Sequence, residues 1–136
     1  MKFTLFIIYI LFTPSILSQQ FQDKWEKVTK GQNGHIFYVD MSNIIEEKNN
    51  IFFWQLINYV KKDEYGDLSA KILTKANCKK YKLKWIKISY HKEKMAKDHA
   101  ISKKPSNTVS GWQSPHRLST SKKVLEYVCK NKGTLL

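Results

Sequence analysis

A chain of 136 residues with a formal charge of +13 is long enough for one modest hydrophobic core and too short for two. Of its 24 basic residues only Arg117 is arginine, whereas sites that read phosphates or guanine edges favour the planar, bidentate guanidinium. Sequence-specific nucleic-acid recognition is therefore disfavoured. The two cysteines, Cys78 and Cys129, have no neighbouring cysteine and give no zinc-cluster spacing.

The chain opens "MKFTLFIIYILFTPSILSQQF". One lysine, an apolar run to Phe12, then Thr13, Pro14 and Ser15 read as the three regions of a secretory signal peptide, with cleavage expected after Ser18. The run falls short of the roughly 20 residues that a spanning helix needs. An uncleaved anchor is the alternative. Residues 19–136 are then expected to form a single exported domain, periplasmic or at the cell surface, with no transmembrane segment left after cleavage. In an oxidising compartment its two cysteines suggest one disulfide. Charge is unevenly divided: residues 19–70 carry 6 Lys against 8 Asp or Glu, while residues 71–136 carry 16 Lys and Arg117 against Glu93, Asp98 and Glu126. The second half is a polycation that will attract acidic surfaces.

The first expected strand is "KWEKVT", Lys24 to Thr29. "GQNG" at 31–34 is hairpin punctuation, and "HIFYVD" to Asp40 is the second strand. Asp40 before "MSNII" predicts a carboxylate capping a single turn with Ile44 folded back on the sheet, and "EEKNN" the next turn. "IFFWQLINYVKK", Ile51 to Lys62, is β-branched and aromatic on both faces, so it belongs in the centre of a sheet. "LSAKILTKANC" alternates Leu68, Ala70, Ile72, Thr74, Ala76 and Cys78 with Lys71 and Lys75, a half-buried strand. From Tyr81 to Tyr90 the apolar positions are odd up to Trp85 and even from Ile86, which predicts a bulge or bend at the switch.

Residues 92–118 lose regular patterning and read as a long loop with a short edge strand, anchored by the packing of Trp112. "STSKKVLEYVCKNKG" then gives a C-terminal helix, with Ser119 or Ser121 as N-cap, an apolar stripe of Val124, Leu125, Val128 and Cys129, and Gly133 as its stop. A bridge from Cys129 on this helix to Cys78 on the sheet is geometrically reasonable. The fold class that results is α+β: an antiparallel sheet of five to six strands, a C-terminal helix on one face and one disulfide.

Catalytic constellations are absent from the pattern. His35, His91, His99 and His116 are scattered, and His91 and His99 with Asp98 and Glu93 offer a weak surface metal site at most. No phosphate-binding glycine loop or nucleophile elbow occurs, and neither a metal nor a cofactor is expected. Trp25, Trp54, Trp85 and Trp112 are expected to close the core rather than to form a stacking platform. The lysine cluster Lys79, Lys80, Lys82, Lys84 and Lys87 is the candidate binding face, with a solvated, charge-protected edge as the alternative reading.

The order Trp25, "FYVD" with Ile44, "FFWQLINY", "SAKILTKANCKKYKLK", Met95, Trp112 and "VLEYVC" resembles the surface-adhesin E family of small bacterial exported proteins. The family's Gly-rich step after the methionine reads "MAKD" here, Met95 to Asp98. The resemblance implies an antiparallel sheet with a packed helix, a Cys78–Cys129 disulfide, and, for characterised members, binding to host extracellular-matrix and plasma proteins at the bacterial surface; for this chain the partner expected is a host or envelope protein or an acidic polymer. An exported, non-enzymatic binding domain that engages a protein or an acidic polymer is the resulting expectation. A small basic hydrolase or nuclease, and a periplasmic structural or inhibitory module, are the alternatives.

Overall fold

The computed structural model describes residues 23–133, so the expected signal segment and its cleavage point lie outside the described residues. The elements in chain order are β1 (Trp25–Lys30), β2 (Ile36–Glu47), β3 (Asn50–Asn58), β4 (Ser69–Asn77), β5 (Lys82–His91), a 3-10 turn (Lys94–Ala96), α1 (Asn107–Ser110) and α2 (Thr120–Asn131). The strands form one antiparallel meander in the order β1-β2-β3-β4-β5. β3 occupies the centre, as its two apolar faces require.

Strand parity assigns every side chain to one of two faces. Phe37, Val39, Ile51, Phe53, Ala76, Leu83 and Trp85 point to the side on which α2 lies, and there Val39, Met41, Ile51, Phe53, Ala76 and Leu83 bury against Val124, Leu125 and Val128. Further along the same face, Ala70, Ile72 and Ile88 make a smaller cluster with Ile57, Tyr59 and Trp85. Buried Gln55 donates from Nε2 to Thr74 Oγ1 at 2.7 Å, which satisfies the amide between the two clusters. Cys78, just past β4, is bonded to Cys129 of α2 across a Cα separation of 5.5 Å.

The expected bulge in β5 is present. Leu73 pairs with Lys87 and Thr74 with Trp85, which leaves Ile86 as the extra residue. Leu83 and Trp85 before it, and Ile88 after it, therefore share the helix side. A second irregularity sits in β2, where Asp40 is paired with Trp54 and the next ladder pair is Ile45 with Phe52. Asp40 is fully buried and its Oδ1 accepts from Ser42 N (2.9 Å) and Oγ (2.5 Å), its Oδ2 from Asn43 Nδ2 (2.6 Å). The expected carboxylate turn exists, but β2 resumes after it. The next turn is Lys48-Asn49 alone, because Glu46 and Glu47 continue the ladder opposite Ile51 and Asn50.

β3 ends at Asn58 rather than Lys62. Beyond it an Asp63-centred turn takes over, with Asp63 Oδ1 accepting from Tyr65 N and Asp67 N. Segment 92–118 forms two isolated bridges to the outer edge of β5, Ile88 with Lys103 and Leu83 with Gln113. These are the remnant of the expected edge strand, and they cover hydrogen-bonding groups that an edge otherwise leaves open. At α2 the structure selects Ser119 over Ser121 as N-cap: its hydroxyl accepts from Lys122 N at 3.1 Å.

Candidate functional site

With α2 on one side of the sheet, the other side is buried at one end, around Leu56, Asn58, Ser69 and His91, and more open toward the β4–β5 turn, where its composition is unusual. Parity places Trp25 and Lys27 of β1, Tyr38 of β2, Phe52 and Trp54 of β3, Lys71, Leu73 and Lys75 of β4, and Lys82, Lys84 and Lys87 of β5 on this side. The lysines lie over the rings. Lys71 Nζ is 5.0 Å from the Trp54 ring centre and 5.6 Å from that of Trp25, Lys75 Nζ is 5.1 Å from Phe52, and Lys84 Nζ is 5.1 Å from Trp112. Such cation–π contacts hold ring and ammonium together while Lys71, Lys75 and Lys84 stay half-buried. Lys71 is also paired with Asp23 at 2.6 Å, so its charge is largely answered. No acid pairs with Lys75, Lys82, Lys84 or Lys87 among the described residues.

Of the expected binding residues, Lys82, Lys84 and Lys87 fall on this open face. Lys79 and Lys80 stand exposed on the β4–β5 turn, where Asn77 Oδ1 accepts from Lys80 N at 2.9 Å. Lys80 and Lys82, with Asn50, Asn77 and Trp112, line a cleft of about 240 Å³. The Asn50 side-chain oxygen in its wall is the one buried side-chain polar atom without a hydrogen bond among the described residues.

The tryptophans depart from expectation. Trp112 is no packing anchor: it is 42% exposed and is held in place by its neighbour Gln113, whose backbone N and O both bond to Leu83. Trp25 and Trp54 are half-buried on the open face, and only Trp85 packs against the core clusters. Aliphatic residues and Phe53 fill the core, so indoles remain available for the surface.

A second polar constellation closes the other end of the open face. Met95 N donates to Asn58 Oδ1 (2.8 Å), Ala96 N to Ser69 Oγ (3.0 Å), and Ser69 Oγ to the Glu93 carbonyl (2.6 Å). His91 is buried, its Nδ1 donating to the Asp98 carbonyl and its Nε2 2.9 Å from the Ser89 hydroxyl. Burial acts to raise the Asp98 carboxyl, but the N–H groups of Lys92 and Glu93 and its own outweigh this and hold it below the usual carboxylate range. His91 and Asp98 are thus engaged in tying segment 92–98 to the sheet. Among the described residues no group of three or more His, Cys, Asp or Glu side chains is placed to hold a metal ion. Asn58 and Ser69 stand within the "FFWQLINY" and "SAKILTKANCKKYKLK" landmarks of the family resemblance, but the sequence assigns them no contact.

No curated protein sequence matches the chain. Among solved structures, crystal form II of Haemophilus influenzae protein E superposes with a TM-score of 0.59 at 18% identity, covering 80% of this chain and 89% of that one. A further structure of Haemophilus influenzae protein E gives 0.58 at 17% identity over 82% and 88%. Protein E from non-typeable Haemophilus influenzae gives 0.56 at 16% identity over 82% and 78%. At such identities the superpositions establish the shared fold. The sequence profile of surface-adhesin protein E matches residues 25–130, from the first strand to the last turn of α2, and the chain therefore belongs to the surface-adhesin protein E family.

Proposed function

We propose that the chain is an exported bacterial domain that binds an acidic partner, protein or polymer, at the cell surface or in the periplasm. Its contact surface is the lysine-bearing open face together with the β4–β5 turn. Family membership supports a surface-adhesin-like binding role. The observation that carries the reading is the set of lysines, Lys75, Lys82, Lys84 and Lys87, that no acid pairs among the described residues, gathered on the side of the sheet away from α2. Charge so arranged steers acidic partners and sets the rate and salt dependence of association.

The test is capture of the oxidised protein on an immobilised panel of acidic matrix and envelope proteins and acidic polymers, at low and high salt. A Lys82→Glu, Lys84→Glu double reversal is expected to weaken capture roughly tenfold or more at low salt. Capture that is indifferent to this reversal would remove the open face from the binding surface.

A further inference from the structure

Within the open face, one place has the features of a subsite. Lys75 and Lys84 are cross-strand register partners, and like charges directly opposite each other destabilise a sheet. Both ammonium groups nevertheless converge on one ring, at 6.0 and 5.1 Å from the centre of Trp112. Lys80 and Lys82 add two more cations at the rim of the adjoining cleft, which Trp112 also lines. Asn50 stands in its wall with a buried side-chain oxygen that accepts no hydrogen bond among the described residues. A ligand donor that reached this oxygen would supply the hydrogen bond it lacks.

The requirements are therefore an anionic group between paired lysines, a flat face against an exposed indole, and a hydroxyl or N–H donor for an amide. We infer that the Trp112 cleft is a subsite for one ring of an acidic polysaccharide, a sulfated or uronate-bearing chain whose next charged groups lie along Lys84, Lys75 and Lys87. The inference rests on the reading of the open face as a binding surface and names its ligand class. Sugar rings present C–H faces, hydroxyl donors and anionic substituents on one unit. The cleft is smaller than a drug-sized pocket and suits a single ring. Single-stranded nucleic acid fits less well, because binders of that class stack successive bases on several rings. Here Trp25 and Trp54 are half-buried beneath Lys71, itself answered by Asp23, which leaves Trp112 as the indole open for stacking.

The experiment is calorimetric titration of the oxidised full-length protein at physiological salt with a heparin octasaccharide, an oligo-dT and a polyglutamate of matched charge, and an uncharged cello-oligosaccharide. The octasaccharide is expected to bind at least roughly tenfold more tightly than the other three. Trp112→Ala should lower its affinity by about tenfold, and Trp112→Tyr should retain most of it. Lys75→Gln should weaken octasaccharide binding while raising the unliganded melting temperature, a combination that a purely structural lysine does not produce. Equal binding of all three polyanions, or indifference to Trp112→Ala, would overturn the subsite and leave the lysine face standing. Absence of polyanion binding, with the Lys82→Glu, Lys84→Glu reversal also silent on the protein panel, would overturn both.

Discussion

Tyr59 stands just beyond β3 with its ring tilted against His35 at a centroid distance of 5.2 Å. Burial, followed by the nearby Tyr90, Asp63 and Asp67, pushes its hydroxyl up to about 12, and Tyr90 is raised for similar reasons, burial first. An unfolded tyrosine loses its proton near pH 10. The folded chain therefore holds a proton that the unfolded chain releases, so this contribution is intact below pH 10 and is lost as pH rises toward about 12. Denaturant midpoints measured from pH 9 to 12 are expected to fall less steeply for Tyr59→Phe than for the parent chain. Parallel slopes would assign the alkaline loss to other groups. Single residues also mark where sequence reading stopped: Asn58 meets Met95 across 37 positions, and no local pattern announces so distant a bond.

At the scale of elements, segment 93–98 is tied to the sheet by several side chains yet carries an internal conflict. Met95 and Ala96 both adopt left-handed backbone, with φ of 61° and 51°, a region that costs a residue bearing a Cβ roughly 1–2 kcal/mol. The family resemblance places glycine in this step, and the geometry supplies the reason. Ala96→Gly keeps the bond from its N–H to Ser69 and is expected to stabilise the fold by about 1 kcal/mol, read as an upward shift in thermal or urea midpoint. The strands themselves were legible because period two is a local property. Even the bulge at Ile86 could be read, since a parity switch within one strand has few other solutions. The continuation of β2 past Asp40 could not. A buried carboxylate turn and a strand terminus look alike in sequence, and only the pairing of Ile45 with Phe52 separates them. Trp112 was misjudged for a related reason: its place is fixed by the backbone of Gln113, which no side-chain pattern reveals.

For the molecule as a whole, charge and covalent closure act on different properties. Most of the positive charge comes from residues after 70, and strand pairing turns the lysines of β4 and β5 that no acid answers among the described residues onto one face, a direction the charge count alone does not give. Stability leans on the Cys78–Cys129 bond, which spans 51 positions and joins the sheet to α2. In the chain-entropy description, closing such a loop contributes about 4 kcal/mol. Reduction under native conditions is therefore expected to lower the unfolding free energy by about that amount, measured as a drop in urea midpoint between oxidised and reduced protein.

The strictly sequential strand order also governs how the chain is built. Each strand meets its neighbour as soon as it emerges, so a polypeptide released N-terminus first assembles hairpin upon hairpin, with short loops to close at every step. The helix that covers Val39, Phe53 and Leu83 comes last. Until residues 120–131 arrive, a nearly finished sheet displays its apolar side to solvent, and the second cysteine has not yet appeared. During that interval the nascent protein is at its most adhesive toward chaperones and toward other copies of itself, on the side opposite to the one that carries its lysines.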